Sequence, residues 1–522
     1  MKKFSGLVAT ALLAVAGTGH AVTCSYDNVP AATLLVPYFK VSRNGSTGGD
    51  VPEGGTDTLI ALTNVSNTAV IVHATVWNKY SRAILDWNIP MTAFDVAFFR
   101  MKDVLNGKLN SNSNTQSAAR LPNDLCGINR NTGAYAPVTG FGATTYIRFR
   151  NPDATDIARS ISIYDSTRGE LPVGGNFRRT VWDSLDESGD IVNFRAPGGV
   201  NILDTDNRGC GSAVDGTYSG DFSGYVTLDV VNYCTNWFPD EPQFYTLDAI
   251  ATSGWSVYGY TPNCLIGDVF YIDPAASGGV IAGDVAVPLE FDYRLDWRVS
   301  NTFFGRYDAY EFPSLIAEPG PLHSGSGLNA NWPFGYQFIG DGREPLGTRY
   351  GLRYYSDTAN GLQSWAIVWR TDIYNNPNNG PGDINLCDWW RACAGITGGG
   401  CAGFGLFDTL HQLVVRTFDN DEGLFIPTGG GPSGGEITPN NLYVFLESQR
   451  ISLLNNGEIN PGGFKGGWID IRFPGNTLYN EAYVGVQHSG PGTTLSVGHS
   501  ASVLSNQFLC SPIIFNQFGN IN

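Results

Sequence analysis

The densest group of chemistry-bearing side chains is Asp183-Ser184-Leu185-Asp186-Glu187-Ser188-Gly189-Asp190, four carboxylates in eight residues beside a glycine. Calcium takes about six to eight oxygen ligands from flexible acidic loops, and extracellular calcium is abundant enough for weak sites. Asp183, Asp186, Glu187 and Asp190 are therefore the candidate metal ligands, and calcium is the one cofactor the sequence suggests. Asp204-Thr205-Asp206-Asn207 and Asp419-Asn420-Asp421-Glu422-Gly423 are similar. None has EF-hand spacing, since the position two after Asp206 is Arg208. Solvated turns, in which Asp and Asn side chains bond their own backbone, are the simpler account.

Tryptophan lies beside a carboxylate at Trp182-Asp183, Asp296-Trp297 and Asp388-Trp389-Trp390. Exposed aromatics next to acids can stack on sugar rings and bind their hydroxyls, and paired carboxylates can hydrolyse glycosidic bonds. Tryptophans also fill sheet cores and brace disulfides, which is the simpler role for these. Gly431-Pro432-Ser433-Gly434-Gly435 has the GxSxG form, but its flanks lack the strand and helix that a nucleophile elbow needs. Gly398-Gly399-Gly400-Cys401-Ala402-Gly403 has the GxGxxG form without a βαβ frame. His488 and His499 flank the turn Ser489-Gly490-Pro491-Gly492. Counted from the turn, they are expected some ~16 Å apart along the ladder, too far to share a metal. No residue is assigned a catalytic or cofactor-binding role.

The compartment is more legible than the chemistry. Lys2 and Lys3 give a basic start, Leu7 to Ala16 is apolar, and Gly19-His20-Ala21 is a small-x-small cleavage site. This is the pattern of a bacterial secretory signal peptide over 1–21, too short for a spanning helix. Ala21-Val22-Thr23 is not a lipoprotein box, so no lipid anchor is expected on Cys24. Export makes disulfides the default for Cys24, Cys126, Cys210, Cys234, Cys264, Cys387, Cys393, Cys401 and Cys510. An odd number leaves at least one unpaired within a single copy. Two of Cys387, Cys393 and Cys401 are expected to pair locally.

The chain carries a formal net charge of −17, and loss of the leader lysines makes it more acidic. Such a surface repels phosphate backbones and argues against nucleic acid as a partner. No segment after the leader reaches the apolar length of a membrane span, so a soluble or peripherally attached protein is expected, periplasmic, extracellular or at the cell surface.

Strand patterns dominate. Leu59–Thr63 and Val70–Trp77 flank an Asn/Ser-rich turn, and in the second run Val70, Val72, Ala74 and Val76 share one face. Further strands are expected at 144–150, 160–164, 225–231, 269–273, 349–355, 364–370, 413–418, 442–447, 468–473, 482–488 and 495–503. Only Met101–Leu105 and Asp388–Ala392 have the pattern of a helical turn or two. The fold class is all-β, expected as two antiparallel β-sandwich domains with long loop insertions and disulfides. Gly224-Tyr225-Val226-Thr227-Leu228 is similar to Gly467-Trp468-Ile469-Asp470-Ile471, which suggests two related halves. The expected division is 22–295, a linker or crossover over 296–335, and 336–522.

The stretches Leu34–Phe39, Thr58–Trp77, Gly224–Cys234, Arg343–Thr348 and Gly466–Ile469 resemble segments of uncharacterised secreted bacterial β-rich proteins with immunoglobulin-like sandwich modules. The resemblance implies the fold and carries no chemistry. The expected function is that of an exported, non-enzymatic surface, matrix, filament or adhesion protein whose partners are other copies of itself or envelope components. The alternative is a glycan-binding or glycan-degrading protein built on the tryptophan-acid pairs.

Overall fold

β-Branched and aromatic runs with almost no helical periodicity produce an all-β structure of antiparallel sheets. The structure, a computed structural model, describes residues 30–43, 51, 53–79, 83–107, 148–149, 160–161, 181–182, 185–186, 221–231, 263–273, 280–289, 346, 349–370, 414–420, 424–425, 448–453, 464–473, 482–490, 496–500 and 502–505. In chain order these form β1 (Thr33–Val41), β2 (Asp57–Asn64), β3 (Val70–Trp77), β4 (Ala83–Met91), β5 (Val96–Arg100), helix α1 (Met101–Leu105), β6 (Arg148–Phe149), β7 (Ser160–Ile161), β8 (Phe222–Val231), β9 (Leu265–Asp273), β10 (Val280–Val285) and β11 (Val287–Leu289). There follow β12 (Arg349–Asp357), β13 (Leu362–Arg370), β14 (Val414–Asp419), β15 (Leu424–Phe425), β16 (Ser448–Ser452), β17 (Gly466–Arg472), β18 (Ala482–Ser489), β19 (Ser496–Ser500) and β20 (Ser502–Ser505). No helix among the described residues is long and apolar enough to cross a membrane.

A seven-stranded sheet runs β11-β1-β8-β3-β4-β6-β7 and a four-stranded sheet runs β10-β9-β2-β5. They meet through one core, in which Leu34 and Val36 of β1, Val70, Val72, Ala74 and Val76 of β3 and Val226, Leu228 and Val230 of β8 pack with Ile60 and Leu62 of β2 and Phe99 of β5. The face assigned to β3 from its alternation is thus the face that enters this core.

The third sheet has nine strands, with the path β15-β14-β17-β12-β13-β18-β19, β16 beside β13 and β20 beside β12. β12 and β13 pair only at Ser356↔Gln363 and Asp357↔Leu362 beside their turn. Gly361 closes that turn at φ 69°, a conformation glycine adopts without a Cβ clash. Beyond the turn the strands part, and the sheet folds over on itself. Tyr350, Leu352 and Tyr354 of β12 with Ile469 and Ile471 of β17 then face Ala366 and Val368 of β13 and Val484 and Val486 of β18 across a second core.

The outer side of β13 and β18 rests on the seven-stranded sheet. Trp369 and Tyr483 pack there with Leu35, Trp77, Tyr225, Val287 and Leu289. Trp77 stacks on Tyr225 at 5.7 Å and 2°, and Trp369 meets Tyr225 edge-on at 6.0 Å. The Ser448 hydroxyl donates to the Pro37 carbonyl at 2.6 Å, crossing the same joint. The result is four β layers. Burial follows from the layering: every residue of β3 and β8, in a middle layer, is buried, whereas β12, in an outer layer, alternates.

Gly224 and Gly467, the matched glycines of the internal similarity, share a physical requirement. A Cβ on Gly224 would collide with the Trp77 carbonyl, and one on Gly467 with the Phe418 carbonyl. Each permits close approach of a neighbouring strand. The segment 296–335, expected as a linker, lies outside the described residues, as do the expected strand at 442–447 and helical turn at 388–392.

Candidate interaction surface

The most distinctive surface is the outer side of the four-stranded sheet at β5. Pairing with β2 gives Thr63↔Val96, Ala61↔Phe98 and Leu59↔Arg100, and β9 continues the rows with Ile266, Asp268 and Phe270. Alternation sends Phe99 into the core and Val96 and Phe98 outward. Val96 is 58 % and Phe98 46 % exposed, and Phe94, in the turn before them, is 68 % exposed. Leu59, Ile266 and Phe270 are partly exposed beside them, and Asp268 is the exposed charge on these rows. A contiguous apolar patch of this kind marks a contact surface more often than chance exposure does.

Both ends of β5 are held. At its start, Asp95 Oδ2 accepts from the Thr92 amide at 2.9 Å and hydroxyl at 3.0 Å, and Asp95 Oδ1 accepts from the Val96 amide at 2.9 Å. Asn64 Nδ2 donates to the carbonyls of Thr68 at 2.7 Å and Thr92 at 2.8 Å, tying this turn to the one after β2. Inside the turn Phe94 has φ 55°, the left-handed region that a bulky residue rarely occupies. At the far end, Arg100 Nε donates to Asp57 at 2.8 Å and its Nη2 to Glu53 at 2.9 Å. Asp57 also accepts from the Lys102 amide at 3.1 Å, and Trp182 Nε1 donates to Leu105 O at 2.9 Å, so α1 is fixed at both ends.

Burial pushes the Asp57 carboxyl above its ordinary value, with Arg100 pulling the other way. The hydrogen bond from Arg100 holds Glu53 below its ordinary 4.5. Burial opposes the Arg100 charge, yet its bonds to Glu53 and Asp57 leave its pKa raised.

The polar groups with acid-base potential lie inside. His73 Nδ1 is 3.1 Å from Asn88 Oδ1 and its Nε2 is 3.6 Å from Asp86, with both side chains at 0 % exposure. Across the same sheet the Thr33 hydroxyl donates to Asp229 at 2.7 Å, and Trp77 Nε1 donates to Thr227 at 2.8 Å. His73, Asp86, Thr33, Thr227 and Asp229 are all fully buried in this sheet, out of reach of a substrate. Ser364 Oγ lies 2.7 Å from His488 Nδ1, a nucleophile-to-base distance that the sequence reading missed. Ser364 is buried and its oxygen accepts the Tyr355 amide at 2.8 Å, so the pair ties β12, β13 and β18 together.

Of the candidate calcium ligands, Asp186 is buried, bridges Phe222 through its backbone and donates its amide to Trp182 O at 3.0 Å. Asp183, Glu187 and Asp190 lie outside the described residues, as do Asp296 and Asp388. Trp182 is 1 % exposed and packs against Phe222 at 5.5 Å, a core residue. Cys264 is buried; Cys24, Cys126, Cys210, Cys234, Cys387, Cys393, Cys401 and Cys510 lie outside the described residues.

The histidine spacing is corrected. The register Val486↔His499 and His488↔Val497 makes His488 and His499 diagonal neighbours, about 7–8 Å apart and not ~16 Å. The expectation measured both from a tight turn at 489–492, whereas the paired arms begin at Ser489↔Ser496. Among the described residues no group of three or more His, Cys, Asp or Glu is placed to hold a metal.

No protein-family model matches this chain, and neither a curated protein nor a solved structure matches it.

Proposed function

We propose that this chain is an exported, non-enzymatic surface protein, a matrix, filament or adhesion component that works by contact with other copies of itself or with the envelope. The observation that carries the reading is the apolar outer face at β5, where Val96 and Phe98 of an edge strand pinned at both ends, and Phe94 in the turn before it, stand exposed. Among the described tryptophans, Trp77, Trp182 and Trp369 are fully buried and serve the cores.

The same reading takes the first two sheets as an immunoglobulin-like sandwich with its edge strands exchanged. In that fold strand B pairs with A and E in one sheet while F lies between C and G in the other. β2, β3, β5 and β8 have the pairings of B, C, E and F, and β4 extends the sheet beside C. β9 takes the place of A beside β2, and β1 takes the place of G beside β8.

A second reading, glycan binding, rests on the outer face of β14 and β17. Phe418 and Trp468 stack there at 3.9 Å and 3°, with Arg353 paired to Trp468 in register. Fractionation of the native protein and a polysaccharide panel separate the two. Recovery with the envelope or in a polymeric fraction, without sugar binding or release, supports the first. Hydrolysis of one polysaccharide, or a soluble monomer that binds one glycan, overturns it.

A further inference from the structure

We propose that β5 is a self-pairing edge: two copies join antiparallel through it about a two-fold axis at Phe98, making one continuous eight-stranded sheet from their four-stranded sheets. This rests on the contact-protein reading above and names the partner of that surface as a second copy.

The backbone register fixes which groups are available. The Asn64 amide donates to the Asp95 carbonyl at 2.9 Å, so Asn64 and Asp95 are a hydrogen-bonded pair of the β2–β5 ladder. Such pairs alternate along an antiparallel ladder. Ala97 and Phe99 therefore bond β2, while Val96, Phe98 and Arg100 turn their N–H and C=O groups to the open edge. Among the described residues β2 is the only strand beside β5. The Val96 N–H is held by its own Asp95 carboxylate, which leaves Phe98 as the first residue able to exchange both bonds with a neighbour. A two-fold axis there lets each Phe98 N–H donate to the partner's Phe98 carbonyl.

Charge and shape fit the same axis. β5 has an acid just before its start, Asp95, and a base at its end, Arg100. Antiparallel self-pairing about Phe98 sets Arg100 opposite the partner's Val96, next to the partner's Asp95, and repeats that contact by symmetry. Parallel pairing would bring like ends together. The outward Phe94, Val96 and Phe98 of both copies would form one apolar strip across the junction. Lysines, prolines and bulges commonly guard exposed edges, and β5 has none of them. The edge is only five residues long, far from the extended surface of about 2,000 Å² or more that permanent interfaces bury, so the dimer is concentration-dependent. Because each copy is strongly acidic, −17 even before loss of the leader lysines, salt should strengthen it by screening their repulsion.

Sedimentation velocity of the exported full chain tests this, over a concentration series at low and moderate salt. The expected result is a monomer–dimer equilibrium that shifts toward dimer with salt. Phe98→Pro removes the outward N–H and the exposed ring while leaving the bonds to β2, and Phe98→Lys adds a charge at the axis. Each should weaken dimerisation about tenfold or more with an unchanged unfolding midpoint. If Phe98→Pro misfolds, Phe98→Lys decides. Phe98→Cys, oxidised in the dimer, should give a disulfide mapped to residue 98 on both chains, since hydrogen-bonded pairs have Cα atoms about 5.5 Å apart. A wild-type chain monomeric throughout overturns the pairing, and so does a dimer that both folded variants form equally well. A monomer that still fractionates with the envelope defeats the pairing alone. A β5 dimer that hydrolyses a polysaccharide defeats the contact-protein reading alone.

Discussion

The two outermost faces of the four-layer stack obey the same alternation and end in opposite chemistry. On the folded nine-stranded sheet several outward residues pair with each other, although Tyr355 stays exposed. Arg349 donates to Asp470 through two bonds of 2.7 and 2.8 Å, Phe418 stacks on Trp468, and Arg353 reaches Asn420 at 3.4 Å. On the four-stranded sheet the outward residues at β5 are Val96 and Phe98, with exposed apolar surface and an open backbone edge. An outer sheet face can be finished internally, by pairing charges and rings, or left for another molecule to finish. This chain does both, which is why the β5 face carries the leading proposal and the stacked Phe418 and Trp468 only the second.

The largest expected effect tests the joint that makes these faces outermost. Trp369 is fully buried between the seven-stranded sheet and β13, edge-on to Tyr225. Trp369→Ala should cost about 3–5 kcal/mol, through lost burial and the cavity left behind. Chemical denaturation checks it. If the two halves then unfold in separate transitions, the joint is what couples them; an unchanged midpoint would show that the layers do not depend on it.

Next in size is the paired face. Asp470 side-chain exposure is 5 % against 38 % for Arg349, so Asp470→Asn leaves a mostly buried amide and an arginine that recovers water. A loss of about 1–2 kcal/mol is expected, below the full worth of a buried charged bond because Arg349 is partly solvated. A double-mutant cycle with Arg349→Gln should return most of that loss as coupling. Zero coupling would mean that this face is no better finished than the β5 face.

Phe94 sharpens the contrast from the other side. Its left-handed backbone costs energy that an asparagine, which tolerates that region, would largely avoid. Phe94→Asn should raise stability by about 0.5–1 kcal/mol while weakening dimerisation. Greater stability with undiminished dimerisation would mean that the aromatic ring is not held outward for contact.

How much of this was legible in the sequence depends on what lies on each side of a strand. The core face of β3 was legible because Val70, Val72, Ala74 and Val76 alternate against a half-polar face. β4 was not, because Asp86, Asn88 and Pro90 break its apolar run. Asn88 and Asp86 pair with His73 inside the stack, so their polarity signals a partner and not solvent. β1 also lacks a clean period: its register shifts between Val36 and Phe39, across Pro37. The β5 surface was invisible for the opposite reason. Both of its faces are apolar, and composition cannot tell that only Phe99 is covered. The acidic segment at 183–190 was read as one group, yet its described member, Asp186, sits in the fold beside Phe222.

The smallest expected effect concerns the anchor at the end of β5 and is a matter of sign. Glu53 is held below its ordinary 4.5 by Arg100, so it adds stability that is fully present above that value and lost as pH falls through its lowered folded pKa. Asp57, raised by burial, works the other way: ionising it costs stability, which is recovered as pH falls through its raised folded pKa. The two therefore oppose each other in acid, and wild-type stability should change little there on their account. Glu53→Gln removes the first contribution and keeps the second. The variant should be less stable than wild type by about 0.2–1 kcal/mol above pH 4.5, because Glu53 is 73 % exposed and solvent screens the pair. That gap should close on acidification below 4.5 and shrink with added salt. Unfolding midpoints across pH for both proteins measure it directly. A gap that persists below the depressed pKa would show that Glu53 acts by packing on Arg100 and Lys102 and not by charge. The charge that anchors the end of β5 would then come from Asp57 alone.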